Sequence, residues 1–272
     1  MPENHWHLMT QTLVIAVFNH KGGVGKTCTA VNLAASLVFR GGTKALVVDM
    51  DPQANASRAI LGEDFAKERV TIKNVLLSES STPIRLSQTL LPSSYPSLFV
   101  SPADLSLSEA EFKLFSTMRR EFILSKALDD VRGRFDHILL DCPPSLGLLT
   151  LNALTAADYV IIPVETQYLA LRGLKAVLEL ILLVKERLNP KLRILGVLPT
   201  KYYILSKANQ EALACLHGLR DRVHVFDTVI PRDVKAEEAP SHGKVLLEYA
   251  PEAKVTEQYL KLADEVIQRC RN

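Results

Sequence analysis

The chain has 272 residues, 47% of them hydrophobic and 23% charged, with a formal net charge of +2 at pH 7. That is enough apolar content for a full core near the upper size of one domain. So small a net charge excludes an argument for nucleic-acid binding from bulk electrostatics, and any such surface must come from local clustering.

Residues 1–11 read as a flexible, polar tail, and the apolar run that follows is only of strand length, so no secretory signal is expected. Leu13–Phe18 is the first predicted strand, Lys26–Arg40 the first helix and Ala45–Asp49 the second strand. A loose stretch rich in Ser, Thr and Pro runs from Leu77 to Pro96. Later strands are predicted at Leu98–Ser101, His137–Asp141, Tyr159–Val164, Ile194–Leu198 and Val225–Ile230. Helices are predicted at Leu105–Arg119, Glu121–Arg132, Gly147–Ala156, Leu171–Leu188, Ser206–Leu219 and Thr256–Cys270. The strands carry Val, Ile and Leu on both faces, as central parallel strands do. The alternation predicts a doubly wound α/β fold, a mostly parallel sheet with helices on both faces, in a single domain over residues 1–272. No helical pair of DNA-reading size is expected before the first strand. Ligands of such sheets bind at the carboxyl ends of the strands.

The four cysteines, Cys28, Cys142, Cys215 and Cys270, suit neither a zinc site nor a disulfide framework. A reducing cytoplasm is the simplest reading. The apolar run Ala176–Val184 carries Glu179 and is far short of a bilayer span, so stable membrane insertion is not expected.

The most informative stretch is His20-Lys21-Gly22-Gly23-Val24-Gly25-Lys26-Thr27, between the first strand and the first helix. Backbone N–H groups of such a loop wrap a polyphosphate, and the helix aims its positive end at the same charge. Lys26 supplies a point charge for the outer phosphates and Thr27 a hydroxyl for Mg²⁺. Position 20 is His where the general phosphate-loop pattern has Gly, and Lys21 adds a second lysine. Asp49 and Asp51 sit two apart at the end of the second strand and are expected to project together beside this loop. One acid of such a pair holds a Mg²⁺-bound water and the other orients the attacking water. Asp141 ends another apolar strand, in register to organise Mg²⁺, and Pro143-Pro144 stiffens the loop after it.

Together these residues resemble the ParA/Soj branch of the deviant Walker-A ATPases, related to MinD, over nearly the whole chain. Lys21 to Thr27 matches the variant loop, Asp49 to Asn55 the first switch and Asp141 to Ser145 the second acidic strand end. Ile230 to Lys235 and Glu238 to Gly243 look like the branch's late signature. The resemblance implies that Lys21 reaches across a dimer to the partner subunit's nucleotide. It implies that Gly22, Gly23, Val24, Gly25, Lys26, Thr27 and Cys28 cradle ATP, with Pro231 and Asp233 near the adenine. It further implies that Asp51 positions the hydrolytic water while Thr27, Asp49 and Asp141 serve Mg²⁺. An ATP-driven homodimer, non-specific duplex DNA, a ParB-like centromere-binding partner and a nucleoid-associated location complete the expectation. Turnover is expected to be slow alone, because no arginine finger is evident in cis.

Three departures carry their own expectations. Cys28 stands where Thr or Ser is usual, in a first helical turn that favours a thiolate, which suggests a redox-sensitive loop. Ala54 stands where Gly is common, which stiffens the switch. Asp233 stands where Asn is frequent; its carboxylate accepts from the adenine amino group and repels a guanine carbonyl, predicting ATP over GTP. For DNA, residues 185–244 hold 11 basic and 7 acidic side chains. Within them Lys201, Lys207, Arg220, Arg222, Arg232 and Lys235 are expected to line one face of a dimer. Val255, Tyr259, Leu262, Val266 and Cys270 form an apolar stripe at helical spacing, read as a closing helix docked on the fold, with a MinD-like membrane helix as the alternative. Positioning of another cargo, and a metal-cluster carrier on the same fold, are the remaining alternatives; the second lacks suitably paired cysteines.

Overall fold

The computed structural model describes residues 12–271 except 67–68, 79–81 and 168–169; the predicted tail lies outside the described residues. Strands β1 (Leu13–Val17), β2 (Ala45–Asp49), β3 (Leu91–Pro92), β4 (Leu98–Ser101), β5 (His137–Asp141), β6 (Tyr159–Glu165) and β7 (Arg193–Thr200) form one sheet. Its order is β3-β4-β2-β5-β1-β6-β7. Every neighbouring pair is parallel except β3 with β4. This is the expected doubly wound α/β architecture, with a short antiparallel edge that the sequence reading did not anticipate.

The described helices are α1 (Lys26–Gly41), α2 (Asn55–Leu61), α3 (Ile72–Leu76), α4 (Ser108–Leu114), α5 (Ile123–Leu128), α6 (Leu148–Ala156), α7 (Ala170–Arg187), α8 (Lys207–His217), α9 (Val234–Glu238), α10 (Leu246–Tyr249) and α11 (Lys254–Arg271). Strand residues alternate between two cores, as a period of two requires. Ile15, Val17, Val47, Leu139 and Ile161 pack with α1 and α11 on one face. Val14, Ala16, Val48, Leu140 and Ile162 pack with α4 to α7 on the other. The apolar stripe of α11 is the docked one: Val255, Tyr259, Leu262, Ala263, Val266 and Ile267 are buried. Cys270 is only partly so. Among the described residues, no helix is long and apolar enough to cross a membrane.

Three predicted elements are corrected, one of them Glu121–Arg132, where a 3₁₀ turn precedes a helix that runs only over Ile123–Leu128. Val225–Ile230 is not a strand but touches β7 and the turn after it through isolated parallel bridges, Val197 with Val225 and Tyr202 with Pro231. The ladder is interrupted on both sides: Pro199 of β7 has no N–H to give, and the Glu265 carboxylate on α11 takes the N–H groups of Asp227 and Thr228 at 2.9 and 3.1 Å. The long helix predicted over Leu105–Arg119 is shorter. A 3₁₀ turn at Leu105–Leu107 leads in, α4 ends at Leu114, and Arg119 is in the left-handed region with φ of 55°.

Candidate functional site

At the carboxyl ends of β1, β2 and β7 lies a cleft of about 730 Å³. Its floor is the loop between β1 and α1. Gly23 and Gly25 hold φ of 73° and 89°, values an L side chain rarely adopts, so the sharp turn needs glycine there. No side chain caps the N-terminus of α1, which leaves its first N–H groups free for an anion. The loop is fastened from two sides. Thr200 Oγ1 donates to the Val24 carbonyl at 2.8 Å, and Asn19 donates to Pro163 O at 2.8 Å while accepting from Lys21 N at 3.0 Å. Val24 itself is buried and anchors the loop rather than lining the cleft. The anomalous His20 packs its ring against Gly173 of α7, where a Cβ would come within 3.0 Å.

The two lysines part company. Lys26 lines the cleft, is buried, and donates to the Lys21 carbonyl at 3.0 Å. Burial lowers its pKa, partly offset by Asp141, Cys142 and Asp51. Lys21 is not part of the cleft wall; its ammonium pairs with Glu165 at the end of β6 at 2.9 Å.

The three aspartates part as well. Asp49 and Asp141 are register partners on adjacent strands. Such neighbours are about 4.8 Å apart, so two buried carboxylates oppose each other's ionisation. Burial first, and hydrogen bonds against it, set Asp49 at about 6. Burial first and then Asp49 raise Asp141 well above the carboxylate range, while Thr27 and Lys26 pull it down. Both Asp141 oxygens are buried without a hydrogen-bond partner. That orphaned carboxylate beside Thr27 fits a divalent cation, which typically uses one or two protein oxygens plus phosphate. Asp49 is held on the loop side: its oxygens accept from Asp51 N at 3.1 Å and from Ser57 N and Oγ at 2.8 and 2.6 Å, and like Asp141 it lies behind the cleft wall. Only Asp51 of the strand-end pair lines the cleft, its Oδ1 accepting from Gln53 N at 2.9 Å.

Comparison with known proteins gives this geometry a lineage. The family described as AAA domain matches residues 12–194. Sporulation initiation inhibitor protein Soj of Bacillus subtilis (strain 168) is 42% identical over 255 residues, spanning 93% of this chain and 97% of Soj. Chromosome partitioning protein ParA of Caulobacter vibrioides (strain NA1000 / CB15N) is 41% identical over 262 residues, 95% of each chain. The chain belongs to the ParA/Soj family of partition ATPases. A solved cobyrinic acid a,c-diamide synthase of Mycobacterium smegmatis, with bound ADP and magnesium, superposes with a TM-score of 0.82 at 34% identity over 96% of each chain.

Other predicted site residues of this ParA/Soj chain fall in three places. Gly22, Gly23, Gly25, Thr27, Cys28, Pro231 and Asp233 border the cleft. Asp233 also caps α9, accepting from Lys235 N at 2.9 Å. Burial raises the Cys28 thiol pKa, while hydrogen bonds from Tyr259 Oη and Asn32 Nδ2 to its sulfur at 3.3 and 3.5 Å pull it down.

The basic residues lie at several places in the late segment, and Lys201 lines the cleft. Arg232 lines the cleft. Lys207 opens α8, whereas Arg220 and Arg222 follow its far end, about 16 Å along the axis. Arg220 is paired with Asp227. Lys235 is exposed but bonded to Glu238 at 3.0 Å. The sequence reading missed Arg58, which lines the cleft from α2 and donates to the Gln53 carbonyl at 2.7 Å. Its signal was the spacing of seven residues from Asp51, on the helix that the Asp51 turn starts.

Proposed function

We propose that this protein is an ATP-dependent switch for partition of a chromosome or plasmid. It binds ATP with Mg²⁺ in the cleft, pairs into a homodimer, holds duplex DNA without sequence preference, and releases it on hydrolysis to ADP and phosphate. Lys26 and the α1 N-terminus hold the phosphates, Thr27 and Asp141 hold the metal, and Asp51 orients water. Bound Mg²⁺ would neutralise charge on the terminal phosphates. The observation that supports the reading is the division between the lysines: Lys26 lines its own cleft, whereas Lys21 is outside the lining and paired with Glu165, which leaves it for a partner's nucleotide in this proposal. γ-Phosphate then contacts the dimer differently from the monomer, which a nucleotide switch requires.

The location that goes with this function is the nucleoid surface in the cytoplasm, with a ParB-like protein accelerating slow basal turnover. Adenine sits by Pro231 and Asp233, favouring ATP over GTP. Burial of the α11 stripe against α1 supports DNA over a membrane as the surface bound. The test is retention of duplex DNA by Asp51→Ala with ATP, with ADP and without nucleotide. Lasting retention with ATP alone, and no phosphate release, is expected; retention indifferent to nucleotide would overturn the reading.

A further inference from the structure

The hydrolytic loop is tied at both ends by one buried carboxylate. Asp49 and Ser57 are both fully buried. Ser57 gives Asp49 Oδ2 two hydrogen bonds, from N at 2.8 Å and Oγ at 2.6 Å. Asp49 Oδ1 accepts from Asp51 N at 3.1 Å. Asp51 O accepts from Ala54 N at 2.9 Å, the turn that leads into α2 and back to Ser57. The ring is anchored outside itself, because Ser57 Oγ also accepts from Ala103 N at 3.0 Å, beyond β4. Every hydrogen-bonding capacity of the Ser57 hydroxyl directed at the loop serves this ring.

We propose that Ser57, acting through Asp49, is the positioning residue that sets Asp51 at the cleft. Three of the roughly four acceptor positions of the Asp49 carboxylate are occupied by Asp51 and Ser57. Asp141, by contrast, is buried beside Thr27 with neither oxygen held by the loop. The acids thus divide their work: Asp141 is left for the cation, Asp49 for the loop and Asp51 for water. The Ser57 hydroxyl supplies the rigidity. Without it, one Asp49 oxygen loses its shortest bond in a fully buried position, and the Asp51 N–H loses a fixed acceptor. Displacement of a water-orienting group by about 1 Å lowers turnover on the order of a hundredfold.

This rests on the reading of Asp51 as the residue that orients water, so the experiment carries both. ATP turnover and its magnesium dependence are measured for Ser57→Ala, Ser57→Thr, Asp49→Asn, the Ser57→Ala/Asp49→Asn pair and Asp51→Ala, per molecule competent to bind a fluorescent ADP. The expectation is a fall in kcat of roughly 10- to 100-fold for Ser57→Ala and Asp49→Asn, with Ser57→Thr within about threefold of wild type. Half-saturating magnesium stays unchanged, and the double variant is no slower than Asp49→Asn, as residues acting as one unit require. Wild-type kcat in Ser57→Ala overturns the inference, as does recovery of Asp49→Asn at high magnesium, which would make Asp49 a metal ligand. If Ser57→Ala does not fold, Asp49→Asn decides alone by the same two readouts. Wild-type turnover in Asp51→Ala sinks the reading of the loop itself; an inert Asp51→Ala beside an active Ser57→Ala sinks only the positioning role.

Discussion

The two ends of the cleft are built differently. At the phosphate end, geometry is forced by the backbone: left-handed Gly23 and Gly25, an uncapped helix start, and strand-end acids in register. At the late end, from Asp227 to Lys244, short turns replace the expected strand and surface cations are held by acids of the same segment. The difference teaches where chemistry is encoded tightly. A loop that must wrap phosphate tolerates few residue types, whereas an exposed cation acquires a partner from whatever lies within reach, at about 0–1 kcal/mol per pair.

The largest expected effect lies at the phosphate end. Lys26→Ala weakens ATP binding by roughly 10²–10³-fold, the scale for loss of a buried charge contact, measured by titration of a fluorescent ATP analogue. The nucleotide-free melting temperature should hold or rise, since Lys26 is desolvated by the fold. Next is the late end. Lys235→Glu lowers ATP-state affinity for duplex DNA by roughly tenfold, with a shallower salt dependence, in anisotropy titrations. Unchanged affinity would show that the exposed lysine of α9 is not a contact.

Smaller effects test the links between the ends. Glu165→Gln removes the acid that holds Lys21, so half the ATP should suffice for pairing, or as little as about a fifth, matching an ion pair of about 0.5–1 kcal/mol. Ala54 sits at φ of 55° at the start of α2. Ala54→Gly relieves about 1–2 kcal/mol of that strain but gives up a buried methyl and adds unfolded-chain freedom of about the same worth, so the urea midpoint should stay within about 0.5 kcal/mol of wild type at unchanged slope.

Much of this was readable in the residues. The apolar strands that end in Asp49 and Asp141, and the loop from Lys21 to Thr27, are where expected, because period, length and glycine placement are local properties. What was not readable depended on contacts distant in the chain. Glu265 interrupts the segment after Val225 from 38 residues away. Asp49 turns from the cleft toward Ser57, although its i+2 spacing from Asp51 suggested a shared direction, because the chain leaves the strand after Asp49 and enters a turn. Cys28 lies at a helix start, and the Tyr259 hydroxyl that reaches its sulfur comes from 231 residues away. The six basic residues are counted in one stretch of sequence, and their places in the cleft and at the two ends of α8 follow from the course of that helix.

The account depends most on Lys21 serving a second copy of the chain. Mass in solution decides this most directly, measured by sedimentation for wild type and Lys21→Ala, with ATP or ADP under conditions that block turnover. The account predicts a doubled mass for wild type with ATP, a single chain with ADP, and a single chain for Lys21→Ala with either nucleotide bound. A Lys21→Ala protein that pairs as fully as wild type on ATP would contradict it.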